Sequence, residues 1–145
     1  MVTFQRETVA DVLRDGCELF AEHYAEVMKL DKPFDLDPSY YLAAEAIGAA
    51  RAYTARIDGE LVGYSGHVVC RHPMCEAKTA QQLVFMVAKA HRRGGIGLQF
   101  LQYADEQLSA ESVELLYQCA SIEPMARMLE RAGYEMIDAT YLRRI

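Results

Sequence analysis

The chain has 145 residues, 52% hydrophobic residues, 25% charged residues and a formal net charge of −6. This length suits one compact domain that buries a core without disulfides or metal, and the composition excludes a disordered or collagen-like chain. The acidic balance disfavours a nucleic-acid-binding protein, because such proteins usually carry a basic surface.

The first part of the chain alternates between strand and helix patterns. Val2 to Arg6 alternates apolar and polar side chains, as a strand does. Thr8-Val-Ala-Asp11 has the spacing of a capping box that opens a helix, and apolar residues then recur at helical spacing as far as Met28. After a proline-bounded loop, Ser39 suits the start of a second helix that runs to about Ile47.

Three strands and a glycine-rich turn follow. Asp58-Gly59 is a strong hairpin signal between two extended runs, Arg51 to Ile57 and Leu61 to Cys70. Thr79 to Ala88 is uncharged and rich in Val, Leu and Phe, which predicts a strand buried on both faces. Glycines 94, 95 and 97 then lead into an amphipathic helix.

The last part of the chain predicts a strand over Ser112 to Cys119, a helix from Pro124 to Gly133, and one or two strands over Tyr134 to Arg143. The order β-α-α-β-β-β-α-β-α-β mixes hairpins with crossover helices. We therefore predict a single α+β domain over residues 1–145, with a mixed, mostly antiparallel central sheet flanked by helices.

Export, membrane insertion and metal binding are not indicated. The N-terminus carries charges instead of an apolar signal, and no apolar run approaches the roughly 18 residues of a membrane span. Cys70, His72 and Cys75 match no usual zinc spacing. We expect a cytoplasmic protein with free thiols and no metal.

The most informative segment is the turn Arg92-Arg-Gly-Gly-Ile-Gly-Leu98, between the buried strand and the helix. Such a turn leaves backbone N–H groups unpaired and the helix dipole adds partial positive charge, so phosphate or pyrophosphate is the expected ligand. A P-loop is excluded because Leu98 follows Gly97 where Lys and then Ser or Thr are required. A dinucleotide fingerprint that starts at Gly95 would need a third glycine where Phe100 stands.

The pattern Arg92-x-x-Gly95-x-Gly97 resembles the motif Gln/Arg-x-x-Gly-x-Gly/Ala with which the GNAT superfamily of N-acetyltransferases binds the pyrophosphate of acetyl-CoA. The preceding strands and the run Leu129-Glu-Arg-Ala-Gly-Tyr134 are also similar to this family, so the resemblance covers the whole chain. The ending Tyr141 to Ile145 is similar to small acetyltransferase-like proteins encoded in bacteriophage genomes. The resemblance implies direct acetyl transfer from acetyl-CoA to a primary amine of a small molecule or protein.

The resemblance also implies the residues that hold the donor. The backbone of the buried strand would pair with the pantetheine arm, and the turn would cradle the pyrophosphate, with Arg92 adding charge or bracing the loop. The predicted contacts are Phe85, Met86, Val87, Arg92, Arg93, Gly94, Gly95, Ile96, Gly97 and Leu98.

The catalytic groups stay open at this stage. The usual acid of the family is a Tyr four residues before the Gly that ends the last helix, and Leu129 occupies that position here. Glu76 and Glu123 are candidate bases and Tyr141 is a candidate acid. Further candidates, each with a structural role as the alternative, are His67, His72, Tyr117, Tyr134 and Cys119.

Leu129 also motivates a second hypothesis, a non-catalytic CoA-binding or interaction protein on the same fold. A third is an unrelated nucleotide-binding domain. Acceptor specificity is expected from Tyr24 to Tyr41 and from Tyr134 to Tyr141, where Asp31, Asp35 and Asp37 would attract a cationic amine or simply be solvated. The uncharged run Leu61 to Val69 fits either a homodimer or burial within one subunit.

Overall fold

A computed structural model describes the whole chain, Met1 to Ile145. Its elements in chain order are β1 (Val2–Glu7), α1 (Val9–Asp15), α2 (Cys17–Val27), α3 (Ser39–Ala46), β2 (Ala50–Ile57), β3 (Glu60–Arg71), β4 (Lys78–Val87), a single 3-10 turn (Lys89–His91), α4 (Ile96–Ala110), β5 (Leu115–Tyr117) and α5 (Glu123–Arg131). The strands form one sheet in the order β1-β2-β3-β4-β5. The first four are antiparallel neighbours and β5 runs parallel to β4. The predicted fold class is therefore confirmed.

The N-terminal helical region begins at the predicted capping box. The Thr8 side chain accepts from the Asp11 N–H at 3.1 Å, and the Asp11 carboxylate accepts from the Thr8 N–H at 3.3 Å. The prediction of one helix to Met28 is wrong, because the chain breaks at Gly16 into α1 and α2. The Phe20 ring occupies the space beside Gly16, where an added Cβ would lie 2.5 Å from the ring.

Helices cover both faces of the sheet. On one face, α1 and α2 bury Val12 and Leu19 against Ala52, Tyr64 and Met86. On the other face, α4 buries its apolar stripe completely; the stripe consists of Phe100, Leu101, Ala104 and Leu108. Because β3 is hydrogen-bonded on both sides and covered on both faces, its apolar run Leu61 to Val69 is explained by burial within one subunit.

β4 and β5 separate part of the way along β4. They pair only through Thr79, Ala80 and Gln81 of β4. The β3 register places Val84 opposite Gly66 but Gln82 opposite His67, so Leu83 is the extra residue of a β-bulge, which bends the strand at this point. The edge of β4 after Gln82 consequently has no strand partner on the β5 side.

The C-terminal part of the chain differs from the prediction. The strand expected over Ser112 to Cys119 is reduced to β5, and Tyr134 to Arg143 contains no strand. A strand needs a neighbouring edge to pair with, and β5 offers three residues only. The tail instead leaves the end of α5 with exposed side chains, and the Arg144 guanidinium donates to the Lys29 carbonyl after α2. None of the helices has both the length and the apolar character to cross a membrane.

Candidate active site

The start of α4 presents six consecutive backbone N–H groups that have no acceptor in the protein. They belong to Arg93, Gly94, Gly95, Ile96, Gly97 and Leu98, and the next N–H, that of Gln99, donates to the Gly95 carbonyl at 3.0 Å. Gly94 and Gly95 have φ values of +82° and +79°, a left-handed conformation that side chains rarely tolerate. The glycines thus allow the loop to place its free N–H groups at the N-terminus of α4, where the helix dipole is positive. This combination favours the binding of an anion.

Gly97 has an additional packing role. A Cβ at this position would lie 3.3 Å from Met128 Sδ on α5. The first turn of α4 and the middle of α5 therefore approach each other closely because residue 97 has no side chain. A larger residue at Gly97 would therefore both cover the free N–H groups of the loop and push against Met128 of α5.

Arg92 braces the loop from behind. Its Nε donates to the Val87 carbonyl at 2.8 Å, and its two terminal nitrogens lie 2.8 and 2.7 Å from the Glu26 carboxylate of α2. The hydrogen bonds from Arg92 lower the pKa of Glu26, which keeps that carboxylate ionised. Arg92 is therefore committed to protein partners, whereas the exposed Arg93 has no ion pair or hydrogen bond and leaves a free cation beside the loop.

The open edge of β4 leads directly into this loop. The Ala88 N–H donates to the Val62 carbonyl of β3 at 2.8 Å. Because backbone polar groups alternate in direction along a strand, Met86 faces β3 as well, and Phe85 and Val87 face the open edge. The Val87 carbonyl already accepts the hydrogen bond from Arg92. The N–H groups of Phe85 and Val87 and the Phe85 carbonyl remain for an extended, amide-bearing ligand.

The gap between β4 and β5 is held at its closed end by one side chain. The Gln82 carboxamide oxygen accepts from the Cys119 N–H at 3.0 Å, so the chain after β5 is attached to β4 where the ladder ends. The open edge therefore ends at Gln82 on one side and at the free N–H groups of the glycine loop on the other, and an extended ligand arm would lie between them. The residues present fit a pyrophosphate that carries an amide-containing arm.

A largely apolar cavity of about 160 Å³ lies between α1, α2 and the sheet. Val12, Phe20 and Val27 line it from the helices, and Phe34, Leu36 and Tyr41 from the segments that follow. Its sheet side consists of Ala52, Tyr64, Ser65, Gly66 and Val84. Val84 is the neighbour of Phe85, so the cavity adjoins the open edge of β4.

His23 is the one imidazole of this cavity. Its Nδ1 lies 2.5 Å from the Tyr64 hydroxyl, and no protein atom bonds its Nε2. Burial lowers the pKa of His23 below its ordinary 6.5, so the ring is neutral at pH 7. The sequence reasoning missed His23. Its signal is a histidine in the helical stripe Phe20, His23, Val27, on a face that is otherwise apolar.

The three predicted catalytic residues lie outside this site. Glu76 is exposed in the connection before β4, at the end of the strand opposite the glycine loop. The Glu123 side chain is 78% exposed at the start of α5 and lies 3.6 Å from Arg127. Tyr141 is 92% exposed in the tail. None of the three lines the cavity.

The other candidates have structural contacts. The contacts are His67 Nε2 to Ser65 Oγ at 2.6 Å, the His72 ring stacked on Tyr117 with centroids 6.4 Å apart, and the Tyr134 hydroxyl donating to Asp105 at 2.8 Å. Asp37 accepts from the N–H of Ser39, the first residue of α3, at 2.9 Å. Leu129, in the position of the family's usual tyrosine, is a buried apolar residue of α5. The four cysteines are free, and no group of three or more metal-ligating side chains is assembled.

The family model for the acetyltransferase (GNAT) family matches residues 17–134. The chain therefore belongs to this family, whose members are enzymes that transfer acetyl groups from acetyl-CoA, and the predicted acetyltransferase class is confirmed. No protein of curated function matches the sequence.

Solved structures share the fold of this chain at low sequence identity. A ribosomal-protein-alanine N-acetyltransferase from Brucella melitensis biovar Abortus is 23% identical over 100% of this chain and 98% of that chain, with a TM-score of 0.77. A predicted acetyltransferase from Clostridium acetobutylicum, solved with acetyl-CoA, is 10% identical over 99% and 96%, with a TM-score of 0.78. An aminoglycoside acetyltransferase from an uncultured soil metagenomic sample, in complex with sisomicin, is 15% identical over 99% and 96%, with a TM-score of 0.73.

Proposed function

We propose that the protein transfers the acetyl group of acetyl-CoA directly to the primary amine of an acceptor bound in the apolar cavity. The observation that carries the proposal is the continuity of three features: the six unpartnered N–H groups, the open β4 edge, and the cavity that begins at Val84. The N–H groups of the loop would hold the pyrophosphate, with Arg93 as the free cation. The Val87 N–H and the Phe85 carbonyl would pair with the amides of the pantetheine arm.

Acetyl transfer requires a hydrogen-bond donor to the thioester oxygen and a base for the amine. The amine nitrogen forms a bond to the thioester carbonyl carbon, the C–S bond breaks, and the sulfur leaves as a thiolate that takes a proton. The carbonyl oxygen gains negative charge during this step, and the Phe85 N–H, which faces the open edge next to the cavity residue Val84, is the proposed donor to it. The amine must also lose a proton, which requires a base within the cavity.

His23 is the proposed base. If its Nδ1–H donates to the Tyr64 hydroxyl, the Nε2 lone pair is free to accept the proton of the amine. Tyr64 then acts as a positioning residue that fixes the tautomer. The lowered pKa of His23 keeps the ring in the basic, neutral form at pH 7.

Thermal unfolding with added CoA, acetyl-CoA, ATP or NAD tests the donor site. At about 100 times its dissociation constant, a ligand stabilises the fold by roughly 2.7 kcal/mol. We expect a shift in Tm with the CoA compounds and none with ATP or NAD. Gly97→Glu should abolish the shift, and Gln102→Glu, which adds the same charge on the exposed face of α4, should retain it. A shift with ATP or NAD alone would favour the nucleotide-binding alternative.

Release of CoA thiol in the presence of amines tests turnover. His23→Gln should lower kcat by about 10²- to 10⁴-fold and leave the CoA-induced Tm shift unchanged. The acid limb of the pH–rate profile should lie below pH 6.5, because protonation of His23 removes the base. A CoA-induced shift without thiol release for any amine would leave the non-catalytic CoA-binding alternative.

A further inference from the structure

The cavity beside β4 contains no carboxylate. Its lining is apolar and aromatic apart from His23 and the polar atoms of Tyr24, Tyr41, Tyr64 and Ser65. An acceptor with several ammonium groups would need carboxylates to replace the water it loses on binding. The cavity therefore suits an acceptor whose bound portion is apolar.

Four acidic side chains near the cavity are engaged by the protein. On α2, Glu22 accepts from the Lys89 N–H at 2.9 Å and Glu26 pairs with Arg92. Glu45 of α3 accepts from the Val9 N–H at 2.6 Å, and Asp37 accepts from the Ser39 N–H at 2.9 Å. Asp31 and Asp35 have no protein partner, but neither of them lines the cavity, so a cation inside it would meet no carboxylate.

The cavity has room for an aromatic ring. An apolar protein cavity of about 150 Å³ binds benzene, and this cavity has a volume of about 160 Å³. Its walls also offer ring edges and faces. Phe20 meets Tyr64 edge-on at 5.0 Å and Tyr24 lies 5.5 Å from Phe34. Such walls favour an aromatic guest over an aliphatic one of the same volume.

We propose that the acceptor is a small monoamine with an aromatic ring, held with the ring among Phe20, Val27 and Phe34 and the amine towards Val84. This inference rests on the proposed function, because it assigns the substrate class of the same site. The neutral His23 would lie beside the amine and the apolar walls beside the ring. Polyamines and aminoglycosides would bind poorly because the lining of the cavity offers their charges no carboxylate.

A panel of amines tests the substrate class. We expect 2-phenylethylamine to have a kcat/KM about 100-fold above that of spermidine, kanamycin or a peptide with an N-terminal alanine. Saturation-transfer NMR of 2-phenylethylamine with the CoA-bound protein measures binding without turnover. Val27→Phe narrows the cavity and should abolish both signals, whereas Ala25→Phe, on the exposed side of the same helix, should leave both unchanged.

A second variant covers the case in which Val27→Phe fails to fold. Val84→Ala enlarges the cavity and should move the preference from 2-phenylethylamine towards tryptamine. If spermidine, kanamycin or the alanine peptide is the best acceptor, the inference is overturned and the proposed function stands. If no amine is acetylated, the proposed function fails, and the NMR signal alone decides whether the cavity takes an aromatic amine.

Discussion

Arg92 holds the Glu26 carboxylate at two points, with nitrogen–oxygen distances of 2.8 and 2.7 Å. Its third contact is the Val87 carbonyl, at 2.8 Å. One side chain thus connects α2, the end of β4 and the glycine loop. Glu26 lies three residues after His23, so the helix that supports the donor loop also carries the proposed base.

Removal of this connection should weaken the donor site as well as the fold. Arg92→Gln leaves the partly buried Glu26 carboxylate without its main partner, and we expect a loss of about 1–3 kcal/mol in the free energy of unfolding. The loop loses its brace, so the CoA-induced Tm shift should fall too. Urea unfolding with and without CoA measures both effects. The control is Lys89→Gln, whose exposed ion pair with Glu26 should contribute less than about 1 kcal/mol. An Arg92→Gln variant with a full CoA shift would contradict the bracing role.

Substitution of Gly94 tests the left-handed backbone conformation of the loop without a clash between the new side chain and its neighbours. An added Cβ at Gly94 would meet no atom within 4 Å, and the same holds at Gly48, where φ is +74°. Valine at either position should therefore cost about 1–2 kcal/mol through the backbone alone. Only Gly94→Val should reduce CoA binding, and Gly94→Asn should do so less because asparagine tolerates this conformation. Equal CoA affinities in all three variants, measured by calorimetry, would exclude the loop as the phosphate site.

His67 should make the fold sensitive to acid. Burial lowers the pKa of His67 from 6.5 to about 4, so the unfolded chain takes up a proton in this range while the folded one does not. Stability should be complete above pH 6.5 and fall by at most about 3 kcal/mol as the pH drops to 4. His67→Gln should flatten this decline in urea unfolding measured from pH 7 to pH 4. His23→Gln provides the comparison. The pKa of His23 is also lowered, but the site is less buried, so this variant should flatten the decline less than His67→Gln does. An unchanged slope for His67→Gln would contradict the assignment.

Asp105 should have the opposite pH dependence. Burial raises its pKa from 3.8 to about 6, against the hydrogen bonds from Tyr134 and Gln118 that lower it. The folded state therefore holds the proton more tightly, and the stability gained from the protonated form, complete below pH 3.8, is lost as the pH rises through 6. Asp105→Asn keeps the acceptor for Tyr134 and should stabilise the protein more at pH 7.5 than at pH 4. A larger gain at pH 4 would show that the ionised carboxylate is the favoured form. Carbon-13 NMR titration of Asp105 in Tyr134→Phe should give a still higher pKa.

The sequence was informative wherever one local pattern determines the structure. The Thr8 capping box, the Asp58-Gly59 hairpin and the glycine turn are each specified by a few neighbouring residues, and all three were predicted. Unpaired N–H groups at the glycine turn were predicted because the start of a helix leaves its first N–H groups without intrahelical acceptors. The resemblance to the GNAT family supplied the individual residues, and their contact with a ligand stays a prediction.

The catalytic candidates Glu76 and Glu123 were selected by their place along the chain, but whether a carboxylate faces a cleft depends on packing between distant elements. Their catalytic role stays a prediction, and both side chains lie outside the cavity. His23 lies on α2 and Tyr64 on β3, and their contact spans 41 residues. The strand expected over Tyr134 to Arg143 is wrong, because a strand pattern requires a partner edge that the sequence does not reveal.

The bulge at Leu83 also bears on whether another chain can pair with the open edge of β4. Unpaired strand edges usually invite other chains to add to the sheet and start aggregation. Here the unpaired part of β4 starts where the Gln82 side chain accepts from the Cys119 N–H, so one end of the open edge is closed. The bulge at Leu83 also bends this edge, and a bent edge pairs poorly with a straight strand of a second copy. The same bend that leaves the edge open for a ligand arm therefore disfavours pairing with another sheet.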